Sequence, residues 1–149
     1  MNYIKAQKEV FDKLVHGEKA WGYWVNENEL FISPNGFVGY LIPKQVVVID
    51  AERLEKIGKV FEFEASIKPE NRLEETYMFK QTPTGKMIRL LKRKDGETIG
   101  VDSKLDKNFQ FPTYYQAQPL REIIITERTN GKEIIVGCVM PYRIESIEF

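Results

Sequence analysis

Along the first seventeen residues apolar positions recur at helical spacing. Ile4, Phe11, Leu14 and Val15 fall on one side with Val10 at its edge, while Lys5, Lys8, Asp12 and Lys13 occupy the rest. Gly17 suits the left-handed residue that closes a helix, so the pattern predicts a helix over residues 3–16. From Trp21 onward short apolar runs alternate with turn residues. WGYWV and LFIS flank the polar tetrapeptide Asn26-Glu27-Asn28-Glu29, and Asn35-Gly36 separates LFIS from FVGYLI, which predicts successive hairpins.

The uncharged, largely β-branched run from Val46 to Ile49 predicts a buried strand. Asp50 is placed to cap a short helix, AERLEKI, closed by Gly58. In VFEFEASI, Phe61, Phe63, Ala65 and Ile67 alternate with Glu62, Glu64 and Ser66, the clearest strand pattern in the chain. Further strands are expected over residues 74–80, 86–92, 97–101, 122–127 and 133–140, with Asp95-Gly96 and Asn130-Gly131 as hairpin turns. A second short helix is expected from Asp102, with Leu105 and Phe109 one turn apart. FQFPTYYQAQP, with two prolines and two glutamines, is expected to be an irregular, partly exposed loop. Tight turns force antiparallel neighbours, so the fold class is α+β: mainly antiparallel sheet with an N-terminal helix and one or two short helices.

Length and composition narrow the picture. The 149 residues are the size of one domain, residues 1–149, large enough to bury a core without disulfides or metals. Lys+Arg and Asp+Glu number 22 each, which removes a generally polycationic protein while leaving a local basic patch open. One His and one Cys cannot assemble a His/Cys zinc site or an intramolecular disulfide. The N-terminal stretch carries charges every few residues, so it reads as neither a secretory signal nor a membrane span, and a cytoplasmic location without membrane contact is expected.

Few residues point to catalysis. His16 sits where a helix dipole favours a cation, and Cys138 lies in the apolar run IIVGCVM, as a core thiol would. Glu62 and Glu64 on one strand face, roughly 7 Å apart by strand rise, with Asp50 upstream, are the only carboxylate set that suggests a metal-dependent nuclease. A solvated strand face explains the same pattern. With no phosphate loop, serine elbow, HExxH or Cys pair, neither catalytic residues nor a cofactor or metal are assigned.

Charge patterning says more. Lys80, Lys86, Arg89, Lys92, Arg93 and Lys94 lie in a stretch without an acid, and six cations on one hairpin would suit nucleic-acid phosphates. Alternatively this basic strand pairs with the acidic segment Arg72-Leu73-Glu74-Glu75. The aromatic residues Phe109, Phe111, Tyr114 and Tyr115 fit a protein-contact surface or a loop packing over the sheet.

Two segments carry a family resemblance. VNENELFISPNG, following a helix, resembles the early hairpin of a domain of the bacterial sliding clamp, the ring-shaped processivity factor of replicative DNA polymerase. GCVMPYRI resembles the Met-Pro-x-Arg-apolar ending of that clamp's last domain, and IGVDSKLDKNF its strand-to-helix turn. The resemblance implies a pseudo-twofold pair of helices on one side of a curved sheet. It also implies that Cys138, Met140, Pro141 and Arg143 match the strand lining the family's peptide-docking pocket. The ring-lining cations would be Lys5, Lys8 and Lys13 on the first helix, and Lys104 and Lys107 on the second.

The expectation is therefore a non-catalytic, clamp-like protein acting through protein contacts and DNA. Lys86, Arg89, Lys92, Arg93 and Lys94 join the five helix lysines as candidate DNA contacts. Tyr114 and Tyr115 join Cys138, Met140, Pro141 and Arg143 as candidate partner contacts. A ring built from single-domain chains requires an oligomer. An interaction or structural module of phage or mobile-element type is the alternative.

Overall fold

The computed structural model describes residues 1–57 and 61–143. Gly58, the expected helix terminator, Val60, the first residue of VFEFEASI, and Ile144 lie outside the described residues. The predicted N-terminal helix forms as α1, Tyr3–Val15. The Asn2 side chain accepts from the Lys5 backbone N–H at 3.0 Å, and the His16 N–H closes the other end on the Asp12 carbonyl. Its buried side keeps Leu14 and Val10 of the expected face but is otherwise rotated from it. Ala6, Gln7, Val10 and Leu14 face the core, whereas Ile4, Phe11 and Val15 are 62%, 52% and 57% exposed. The apolar arc spans about half the helix at 3.6 residues per turn, and the sheet takes the portion carrying small Ala6, which permits close approach.

Among the described residues nine strands follow. β1 (Trp21–Trp24), β2 (Glu29–Ser33) and β3 (Val38–Pro43) form an antiparallel meander. After a long irregular stretch come β4 (Glu74–Gln81), β5 (Met87–Lys92) and β6 (Thr98–Asp102), a separate three-stranded antiparallel sheet. A second meander, β7 (Thr113–Tyr115), β8 (Ile123–Thr129) and β9 (Lys132–Val139), completes the order β1-β2-β3-β9-β8-β7 in a six-stranded sheet. The mainly antiparallel α+β expectation holds, and Asn35-Gly36, Asp95-Gly96 and Asn130-Gly131 make their turns with each glycine at positive φ.

The six-stranded sheet has a quasi-twofold layout: two meanders meet at their third strands, β3 against β9, with Gly39 opposite Cys138 and Tyr40 opposite Gly137. Glycine is required at this seam. A Cβ on Gly137 would lie 2.1 Å from the Gly39 carbonyl oxygen, and one on Gly39 would lie 2.2 Å from the Phe31 ring. On one face α1, Phe109 and residues of β5 and β6 (Leu91, Ile99, Val101) join Ile32, Tyr40, Ile123 and Ile125 in a single core, so both sheets are bound into one unit. The other face packs Phe31, Ile124 and Cys138 beneath Phe63.

Several expected elements are replaced. Residues 46–49 are not a strand. Gln7 donates to the Val46 carbonyl at 2.8 Å and accepts from the Val48 N–H at 2.7 Å, so one buried side chain from α1 supplies the partners a strand would have needed. Asp50 does cap, accepting from the Glu52 N–H at 3.1 Å, but only a single 3₁₀ turn, Ala51–Arg53, results. Glu55 then leaves to pair with the outer edge of β1, exchanging hydrogen bonds with Ala20 and Gly22.

The described part of VFEFEASI, the strongest strand pattern, is instead a turn with a 3₁₀ segment at Glu64–Ser66. Phe61 and Phe63 lie 5.4 and 5.7 Å from the Phe31 ring and cover the sheet rather than extend it. The helix expected from Asp102 is a succession of turns, and FQFPTYYQAQP contributes β7, with Tyr114 and Tyr115 buried rather than looped out.

Candidate functional site

The site grows from the crossing between the two sheets. Segment 71–73 runs along the outer edge of β7: the Leu73 N–H donates to the Tyr114 carbonyl, the Gln116 N–H donates to the Asn71 carbonyl, and both distances are 2.9 Å. The chain then leaves as β4. Where β4 and the approach to β7 diverge, a groove of about 1100 Å³ opens between the sheets.

Arg89, Lys92, Arg93 and Lys94 line it from the β5 side, Tyr114 and Tyr115 from β7, and Lys68 and Arg72 from the crossing. The basic stretch and the aromatic segment, predicted separately as DNA and partner contacts, thus meet in one place. They do so with different duties. The Arg89 guanidinium reaches Asp106 at 2.9 Å and Glu75 at 3.0 Å, and Tyr114 donates to the same Asp106 oxygen at 2.7 Å. Burial opposes the Arg89 charge, but Tyr114, Asp106 and Glu75 outweigh it and hold its pKa above the usual value. Tyr114 is pushed upward by burial and then by Asp106. Arg93 donates to the Gln116 side chain at 2.8 Å. These two arginines hold the groove together.

Lys68, Arg72, Lys92 and Lys94 are exposed and form no ion pair among the described residues. The acids of the groove are partly engaged. Glu75 is bound to Arg89, and Glu133 accepts from Thr126 and Tyr115, each at 2.6 Å, which holds its carboxyl below the usual range. Glu74 stands opposite Lys92 across β4 and β5. The alternative reading of the basic stretch, pairing with the acidic segment, therefore holds as an ion pair for Arg89 and as cross-strand register for Lys92.

Two aromatic residues complete the groove. Tyr77 on β4 is 83% exposed with φ of 58°, and Phe111 before β7 is 98% exposed with φ of 46°. Phe111 belongs to the aromatic segment expected to be partly exposed, whereas Tyr77, Lys68 and Arg72 were not among the candidate site residues. Tyr77 sits in a bulge between Glu75 and Met78, whose turn is closed by the Glu75 and Thr76 side chains accepting from the Tyr77 and Met78 N–H groups. No pattern in the sequence announces that bulge.

The other expected site residues lie elsewhere. Lys86 is 5.6 Å from the Tyr142 ring centre. Lys8 pairs with Asp12, Lys13 with Glu18 and Lys107 with Glu9, while Lys5 and Lys104 are exposed without an ion pair among the described residues. Lys104 and Lys107 belong to turns, not to a second helix, although Asn108 still ties that segment beside α1 by donating to Glu9 at 2.9 Å and Tyr40 at 3.1 Å. Cys138 and Met140 line an apolar pocket of about 180 Å³ with Trp21, Phe31, Phe37 and Phe61. Pro141 and Arg143 line a different, shallow depression beside Tyr142. The four residues that the clamp resemblance groups together are divided between two places.

Asp50, Glu62 and Glu64 do not share a strand face. Asp50 is a cap, and both glutamates are exposed around a turn. Among the described residues no three His, Cys, Asp or Glu side chains come together as a metal-binding group. His16 lies at the exposed end of α1, its Nδ1 2.6 Å from the Asp12 carbonyl oxygen. Among the described residues no helix is long and apolar enough to cross a membrane. Comparison with protein-family models, curated proteins and solved structures finds no match to this chain.

Proposed function

We propose that the chain is a non-catalytic, clamp-like binding module that acts through a protein contact and through DNA. The observation that carries this reading is the groove between the sheets, where four cations that form no ion pair among the described residues stand beside exposed aromatic surface. Such a surface attracts phosphates without any chemistry being performed on them. The quasi-twofold sheet supports the clamp-like part. The turns at 102–108, where a second helix is implied, mark the departure from that family's outline. For the protein contact, the apolar pocket at Cys138 and Met140, flanked by exposed Phe37, is the best-shaped surface.

Electrophoretic mobility of labelled DNA across a series of salt concentrations tests the DNA contact. Binding is expected to weaken steeply as salt rises, and no binding even at low salt would remove DNA from the function. Light scattering tests the assembly: a defined oligomer supports a ring, whereas a monomer favours the interaction-module alternative. The exposed stripe of Ile4, Phe11 and Val15 on α1 is the observation that favours that second reading.

A further inference from the structure

We propose that the groove between the sheets binds single-stranded nucleic acid, with Tyr77 and Phe111 as stacking platforms for unpaired bases. This rests on the nucleic-acid contact proposed above and goes beyond it by naming the form of the strand and the residues that select it. Two independent features converge. The first is charge. Lys68, Arg72, Lys92 and Lys94 line the groove without ion pairs among the described residues, while Glu75 and Glu133 are engaged by Arg89 and by two hydroxyls. Positive charges lining a groove suit a phosphate backbone lying in it.

The second is the pair of aromatic rings. Tyr77 comes from the three-stranded sheet and Phe111 from the approach to the six-stranded one, so one ring is supplied by each sheet. Both residues occupy the left-handed backbone region, which bulky side chains rarely adopt, and both rings are almost wholly exposed. Folding alone gains nothing from that combination. An aromatic ring contributes to stability by being buried, and a strained backbone persists when the surrounding structure or a bound partner makes use of it. Two rings held outward beside these cations supply what sequence-tolerant recognition of single strands needs, a π face for each base and positive charge for each phosphate. A duplex keeps its bases stacked on one another and offers these rings no partner. An acidic peptide would engage the cations but leave the rings idle.

Fluorescence anisotropy with labelled oligothymidine and oligouridine of about 15 nucleotides, a length within the span one such groove covers, tests this directly. A blunt duplex of equal length and a poly-glutamate peptide serve as competitors. The single strands are expected to bind more tightly than the duplex, and the two oligonucleotides distinguish DNA from RNA as the source of the strand. Tyr77→Ala and Phe111→Ala are each expected to weaken binding about tenfold, with Tyr77→Phe and Phe111→Tyr retaining it. Lys92→Ala with Lys94→Ala is expected to lower the salt slope by about 1.4. Duplex binding equal to or tighter than single-strand binding, or aromatic variants that bind normally, would overturn the stacking assignment while leaving a DNA contact standing. Displacement by poly-glutamate with equal affinity would give the groove to an acidic peptide. Absence of any nucleic-acid binding at low salt would remove both readings. Because both rings are exposed, circular dichroism of the variants is expected to match the parent protein.

Discussion

The two halves of the six-stranded sheet share a strand layout but differ in what covers them. The first meander carries α1, the second carries the turns at 102–108 where a helix would correspond, and both segments contribute to the core on one face, which Leu91, Ile99 and Val101 of β5 and β6 also join. The helix follows from its residues: Ala6, Val10 and Leu14 repeat a small apolar stripe over several turns beneath an Asn cap. The corresponding segment of the second half offers Leu105 and Phe109 alone, and its short polar residues spend their hydrogen bonds sideways. Asp106 accepts from Arg89 and Tyr114, and Asn108 donates to Glu9 and Tyr40. Asp102 also accepts from the Lys104 N–H at 3.0 Å, the local bond by which aspartate competes with helical hydrogen bonding. One half is held by apolar packing, the other by a buried polar network, and the two are expected to fail differently.

The largest effect is expected where the halves meet. Gly137→Ala places a methyl group 2.1 Å from the Gly39 carbonyl oxygen and about 3 Å from the Phe109 ring, and a backbone oxygen in mid-sheet cannot retreat cheaply. A loss of about 3 kcal/mol or more is expected in urea unfolding, with both halves losing protection together. Separate transitions for the two halves would show that the seam does not couple them.

Next come the two polar anchors. Asp106→Ala strands the buried Tyr114 hydroxyl and removes one of two carboxylates from Arg89, so a loss of about 2–3 kcal/mol is expected. Gln7→Ala frees the Val46 carbonyl and the Val48 N–H, but these lie on an exposed segment that water reaches, so about 1 kcal/mol is expected. Equal or reversed losses in the same denaturation series would contradict the contrast between a packed half and a networked half.

These differences also separate what was legible in the sequence from what was not. The hairpins were legible because Asn-Gly and Asp-Gly turns are local chemistry, and α1 was legible because its period repeats. VFEFEASI misled because alternation reports burial on one side only. It does not say whether the segment will extend a sheet or cover one, and buried Phe63 and half-buried Phe61 cover the Phe31 ring. The cations Arg89, Lys92, Arg93 and Lys94 were visible as an acid-free run. Their meeting with Tyr114 and Tyr115 depends on segment 71–73 crossing between sheets, which no local pattern encodes. The outward rings of Tyr77 and Phe111 follow from backbone angles set by a bulge and by the chain's approach to β7, again beyond any local signal.

The smallest expected effect sharpens the comparison by pH. Glu133, in the second half, accepts from the hydroxyls of Thr126 and Tyr115, and these hold its carboxyl below the usual range. A folded-state pKa below the unfolded one means the contribution is fully present above the unfolded value, about 4.3, and is lost as pH falls through the folded value. Glu133 is exposed, so solvent screening keeps the effect under about 1 kcal/mol. Hydrogen exchange below about pH 4.3 is therefore expected to weaken protection of the β7–β8 amides before those of β1–β2. Glu133→Gln retains an acceptor without the charge and is expected to remove that pH dependence while leaving β1–β2 unchanged. A uniform loss across both meanders, persisting in the Gln variant, would place the acid sensitivity elsewhere and leave the two halves alike in their response to pH.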